Sequence, residues 1–406
     1  MPSECDEKIL IDDEGSVNIN VNNAAVQLEN MTITNEVESD SQCEKINKAI
    51  QRLNFNLERS KLLLAHEECT RLHDLLAFTS TNDHNSAECA LSSECPVISA
   101  ERKQSLEELF VKLEKQAKEI NDVMTHCHEF SHSGATGEGD DHLDTENDGG
   151  WVLGADMFGV KTYYHNDEDD GLISLRMEAE QDVPVFEQMA VLNEAELYSE
   201  WIPFCSSSKL VKKISHTEQV FHCHFITPVA LRDMLVHVYA SDCVMEHGCV
   251  AFVGRSLSDE ETKRDPDTEW PAHPNYFLGQ RMEILQLSGV LRMTSNKSAK
   301  TIILMKVNPK VLLPQMVINF LIKKMAGVFL YFLQKKAIAL SEETEMSSKH
   351  AERMHSNTEF YVDWLLPVVR AYCQHKGWAQ FSVNLLGDAG QPEEGRDYCM
   401  PEVMFA

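Results

Sequence analysis

The sequence has no C-x-x-C pair among its twelve cysteines, no basic-then-apolar leader and no uninterrupted apolar run long enough to span a bilayer. Each absence excludes something. Thiols scattered from Cys5 to Cys399 without a spacing pattern argue against a disulfide framework and for a reducing, cytoplasmic setting. The longest apolar stretch, Leu312 to Leu333, is cut by Lys323 and Lys324. A spanning helix needs ~20 mostly apolar residues, so this stretch predicts a buried or amphipathic helix instead. Pro2 excludes N-myristoylation, and the final Met-Phe-Ala offers no cysteine for prenylation.

Catalytic signatures are also missing. There is no G-x-S-x-G elbow, no phosphate-binding P-loop, no G-x-G-x-x-G and no H-E-x-x-H, so no enzymatic activity is expected. His222-Cys223-His224 puts two histidines on one strand face, but no second ligand pair accompanies them, and zinc sites use three or four ligands. No metal or cofactor is expected.

Positive charge is scarce: 36 Lys/Arg stand against 65 Asp/Glu, for a net −29. Nucleic acid is a poor partner for such a chain, because phosphate contacts need a basic footprint. The imbalance is uneven. Residues 1–40 hold ten acids and one lysine, whereas residues 281–340 hold ten Lys/Arg and one acid, Glu283.

What is present divides the chain. Residues 1–40 lack aromatics and cannot bury enough apolar surface to offset ordering entropy, so they read as a disordered acidic N-terminus. Residues 41–78 carry Ile46, Ile50, Leu53, Leu57 and Leu64 on one stripe and open with a capping-box pair, Ser41 and Glu44. A second stripe runs through Leu106, Leu109, Leu113, Ala117, Ile120, Met124 and Cys127. Together these predict an α-helical hairpin over 41–130 that dimerises, docks on the rest of the chain or binds a partner helix. Residues 131–149 are Gly-, Asp- and Ser-rich and read as a flexible linker. From 150 the pattern becomes a strand hairpin, short helices, a run of antiparallel strands and one long helix from about Pro314 to Leu340. Strands followed by a segregated helix argue α+β. The remainder, 341–406, reads as a C-terminal extension with an amphipathic helix near 360–378, broken at Pro367.

Residues 150–340 resemble a START (StAR-related lipid-transfer) domain. The resemblance rests on ordered pieces: Tyr198-Ser-Glu-Trp201-Ile-Pro203; Arg232-Asp233 before Met-Leu-Val-His-Val; Val250–Ser256, ending in Arg-Ser; and Val307-Asn-Pro-Lys-Val-Leu-Leu-Pro314 leading into Gln-Met-Val-Ile-Asn-Phe-Leu-Ile-Lys-Lys324. It implies a helix-grip fold, a curved antiparallel sheet wrapped on a long C-terminal helix, with one lipid in an apolar tunnel between them. Two features depart from the family. Several members place an arginine six residues after the Arg of the Arg-Asp pair, where this chain has Val238. The acid-and-Gly turn before the last helix is replaced by Asn308-Pro309-Lys310.

The site expected from this resemblance is assembled from strand and helix periodicity. Alternation puts Met234, Val236 and Val238 on one face of a strand that Arg232 begins, and the resemblance turns that face to the lipid. On the helix, Val317, Leu321, Met325, Val328 and Phe332 form an apolar face expected over the tunnel, opposite Asn319, Lys323, Gly327, Leu330 and Gln334. Residues 239–248 correspond to the family's gating loop, so Val244 and Met245 are expected to touch a membrane, aided by Lys323, Lys324, Lys335 and Lys336 on an anionic, peripheral surface. The expected function is intracellular lipid binding and transfer, with a phospholipid favoured because few charges point inward. The alternative is a lipid-sensing adaptor that recruits a protein partner or self-associates through 41–130. A helix-grip enzyme is a third reading.

Overall fold

The computed structural model describes residues 40–82, 100–133, 151–165, 172–226, 231–274, 279–310, 326–342 and 348–390. The acidic N-terminus and the linker beyond Ser133 lie outside the described residues. Three helices come first: α1 (Asp40–Glu58), α2 (Leu62–Asn82) and α3 (Ala100–Ser133). Then follow β1 (Trp151–Met157), β2 (Val160–His165), β3 (Ile173–Gln181), α4 (Val185–Asn193) and a 3-10 turn at Ala195–Glu200. Next are β4 (Cys205–Lys213), β5 (Glu218–Ile226), β6 (Leu231–Cys243), the single-turn α5 (Val244–His247), β7 (Cys249–Ser256) and α6 (Asp259–Lys263). The chain continues through β8 (Gly279–Arg281), β9 (Glu283–Met293), β10 (Ala299–Asn308), α7 (Ala326–Ser341), α8 (Ser348–Ser356), a π-helical segment at Glu359–Leu365 and α9 (Leu366–His375).

The stripe read as one helix over 41–78 is two. The chain turns at Arg59–Lys61, where Ser60 takes a left-handed φ of 54°. The N-terminal hairpin is therefore α1 against α2, closed by Ile50, Leu53, Leu57, Ala65, Cys69 and Leu72. Helix α3 has two partners along its length. Leu106, Leu109 and Leu113 complete the α1–α2 core, whereas Ile120, Val123 and Cys127 pack on the sheet against Tyr239, Cys249, Ala251, Val290 and Ile302. Docking on the rest of the chain is thus the arrangement adopted.

The sheet runs β1-β2-β3-β10-β9-β7-β6-β5-β4, every neighbour antiparallel, with β8 added in parallel to the start of β6. Gly289 sits where no side chain fits: a Cβ there would come 2.3 Å from the Ile302 carbonyl and 2.8 Å from the Phe252 ring. One face of the sheet carries α3. The opposite face carries α4, α7 and the C-terminal segment in one large core that includes Val236, Phe221, Phe252, Ile303, Leu330, Leu333, Phe360 and Trp364. The expected α+β helix-grip arrangement is present, an antiparallel sheet holding the C-terminal helix on one face. The chain adds two features to it: helices on the outer face and a C-terminal layer beside α7.

Candidate functional site

The seam between the sheet and α7 holds four of the expected site residues, Met234, Val236, Val238 and Phe332. Pairing of β6 with β5 alternates its side chains, and Met234, Val236 and Val238 all turn toward the α7 side. Val236 is fully buried, while Met234 and Val238 stay partly accessible. Leu287, Met305, Phe329 and Phe332 likewise pack on this core while keeping accessible surface. Apolar side chains left partly accessible beside a core still have surface to remove from water, which an acyl chain or ring could cover.

Helix α7 is turned differently from the expected facing. Leu330 and Gln334 are buried, and Gly327 lies over Thr162 and Val160, where a Cβ would meet the Thr162 hydroxyl at 2.8 Å. Val328 and Phe332 are the half-buried pair. The missing side chain at Gly327 lets the helix approach β2 on the side that its polar residues had marked for solvent. Val317, Leu321, Met325, Lys323 and Lys324 lie outside the described residues.

Arg232 holds backbone. Its Nε donates to the Pro309 carbonyl at 3.1 Å and its Nη1 to the Leu231 carbonyl at 2.7 Å, tying the start of β6 to the turn that leaves β10. Its neighbour Asp233 points to the other face. There the wholly buried carboxylate accepts from His222 Nε2 at 2.7 Å and from Arg281 Nη2 and Nε at 2.7 and 3.0 Å. Burial pushes this carboxyl upward, but the His222 and Arg281 bonds outweigh it and hold it below the usual range. The histidine pair that looked like a metal motif is thereby accounted for: His222 serves Asp233, and His224 stacks edge-on against it at 4.4 Å.

Three of the expected membrane-facing residues are placed otherwise. Val244 is wholly buried in the main core, and Met245 packs against it, because α5 is covered by α9 of the C-terminal layer. Lys336 is nearly buried, with its ammonium 3.4 Å from Glu200. Lys335 alone of the described α7 cations is exposed, its ammonium 6.0 Å from the centre of the Phe332 ring. Exposed apolar side chains near α7 include Met157 and Phe158, where β1 turns into β2, and Ile338 on the helix itself. Phe158 has φ 60°, is 58% exposed and sets its ring, tilted by 34°, with its centre 4.8 Å from that of Tyr331. A bulky residue held left-handed in a tight turn is uncommon, and nothing in the sequence pattern marked it.

No protein-family profile matches this chain, and no curated protein matches it. Its fold is similar to solved structures of lipid-transfer domains. Human STARD10 is 19% identical over 54% of this chain and 87% of that one, with a TM-score of 0.42. Human StAR-related lipid transfer protein 5 is 13% identical over 55% and 98%, with a TM-score of 0.41. A fragment of a STAR-related lipid transfer protein from Xanthomonas axonopodis is 21% identical over 47% and 99%, with a TM-score of 0.38. Among the described residues no helix is long and apolar enough to cross a membrane.

Proposed function

We propose that this chain binds one lipid in the apolar seam between the sheet and α7 and exchanges it at membrane surfaces, with a phospholipid as cargo. The observation that carries the reading is the row of partly accessible apolar side chains, Met234, Val238, Leu287 and Phe332, packed where the sheet meets α7, with the one cation on that face of β6, Arg232, spent on backbone carbonyls. Each buried CH₂ of an acyl chain contributes about 0.8 kcal/mol, so two chains supply ample affinity without a specific headgroup contact. No bond is made or broken. Purified full-length protein, analysed by native mass spectrometry with organic extraction, is expected to carry about one phospholipid per chain. Val238→Glu, which puts a carboxylate on the seam wall, is expected to lower that load at least about tenfold, since burying an unpaired charge is costly. Wild-type protein that stays empty after incubation with mixed liposomes contradicts the reading.

The surface that meets the membrane in this reading is the β1–β2 turn beside α7. Met157, Phe158 and Tyr331 give an apolar tip of the kind that enters the headgroup boundary, and Lys335 adds a cation next to it. Phe158→Glu is expected to weaken sedimentation with phosphatidylserine-containing vesicles about tenfold while leaving the bound lipid in place. Unchanged sedimentation moves the docking surface elsewhere.

A further inference from the structure

The tip of the β6–β7 hairpin is where three parts of the chain meet. Its turn, α5, ends at Gly248, which takes a left-handed φ of 70°. Val244 at this tip, with Ala240 and Val250 on its two strands, belongs to the core that also contains Leu330 and Leu333 of α7. Lifting the tip therefore withdraws Val244 from the apolar core that α7 shares.

The N-terminal helices grip the tip through their joint. Lys61, between α1 and α2, has a side chain with no exposed surface, and its ammonium lies 2.8 Å from Glu246 and 3.6 Å from the equally buried Asp242. The backbone joins in register: the Asp242 N–H donates to the Ser60 carbonyl at 2.9 Å, and the Leu62 N–H to the Ser241 hydroxyl at 3.1 Å. The Ser60 hydroxyl accepts from Thr217 at 2.7 Å and lies 3.0 Å from His216 Nε2, beside the turn that joins β4 to β5. Left-handed Ser60 is a non-glycine residue in a sparsely populated conformation, kept there by these long-range partners.

The C-terminal layer grips the same tip from the other side. The Tyr372 hydroxyl of α9 occupies the space beside Gly248 that a Cβ would fill, at 2.3 Å. The two grips also hold each other, because Trp364 Nε1 donates to the Arg59 carbonyl at 3.0 Å and its ring lies 5.1 Å from that of His216.

We propose that the α1–α2 joint and the C-terminal layer form a latch on the β6–β7 tip, pinned by Lys61, so that the two grips release together. The latch does not depend on the lipid reading above. A device of this kind gives the tip a closed state that relaxes only when contacts more than a hundred residues apart in sequence are broken.

The test is hydrogen–deuterium exchange on the full chain, read by peptide. Lys61→Met combined with Asp242→Asn removes the pin without leaving a bare buried charge. Trp364→Phe removes only the bond to Arg59 and keeps the ring. Lys112→Met, which breaks a different helix–sheet pair at Glu218 (3.1 Å), is the control. Each of the first two variants is expected to raise exchange about tenfold at both 241–250 and 360–375, with β9 and β10 unchanged and the control silent at both sites. A rise confined to one site, or one spread evenly over the sheet, overturns the coupled latch. Native mass spectrometry on the same samples reports the lipid load separately, so an empty protein sinks the lipid reading and leaves the exchange result intact.

Discussion

Asp233→Ala is expected to cost about 3–5 kcal/mol of folding stability, the penalty for breaking a buried ion pair by removing one partner. The carboxylate has no exposed surface, and its loss strands His222, whose side chain is 8% exposed, and Arg281, at 12%. Arg281 also pairs with Asp233 in the register of β8 on β6 and donates to the Pro271 and Ala272 carbonyls, so the loop residues around 271–272 lose an anchor. The chain carries its own control. His273 and Asp259 form a pair of the same 2.7 Å length, but their side chains are 56% and 66% exposed. Solvent screens such a pair almost completely, and Asp259→Ala is expected to leave the denaturation midpoint unchanged. Chemical denaturation of both variants checks the contrast. Equal shifts mean that the Asp233 cluster is as solvated as the surface pair, and that burial is not what gives it weight.

The same contrast explains what the sequence disclosed. Strand β6 was legible because its alternation is local: Met234, Val236 and Val238 must share a face whatever lies opposite. The stripe of α3 was legible too, but not its partners, since Leu109 and Ile120 look alike in sequence while one meets α1 and α2 and the other meets the sheet. The break at Ser60 was hidden because its cause lies about 180 residues away, in Asp242 and Glu246. The resemblance puts Val244 at the surface, on a gating loop, and charge puts Lys336 there. Covering elements decided otherwise: the C-terminal layer over Val244 and Glu200 beside Lys336. The facing of α7 turned on a single missing side chain, Gly327, whose meaning depends on Thr162 standing opposite. Local periodicity carried the elements; the site's edges depended on which distant segment covers them.

Two buried groups on the α7 side are expected to give the protein opposing responses to acid. His350 of α8 has no exposed surface, and among the described residues neither ring nitrogen has a hydrogen-bond partner. Burial, with the nearby Lys336 charge adding to it, pushes its pKa down to about 4. Because the folded value lies below the unfolded one, the unfolded chain binds the proton first, and stability is lost as the pH falls from about 6.5 toward 4. Glu187 of α4 behaves oppositely. Burial raises its carboxyl to about 8, with only a backbone hydrogen bond opposing, so it is mostly neutral in the folded protein at pH 7. Its contribution is fully present below about 4.5 and is lost as the pH rises through 8. Between pH 7 and pH 4.5, wild type is therefore expected to lose about 2.5 kcal/mol relative to His350→Leu and to gain about 3 kcal/mol relative to Glu187→Gln. Urea denaturation of the three proteins at the two pH values measures both differences. Opposite signs place each group in an apolar interior beside α7. If the differences are instead the same at both pH values, water reaches His350 and Glu187 in the folded state, and the layer over the seam is more open than its packing implies.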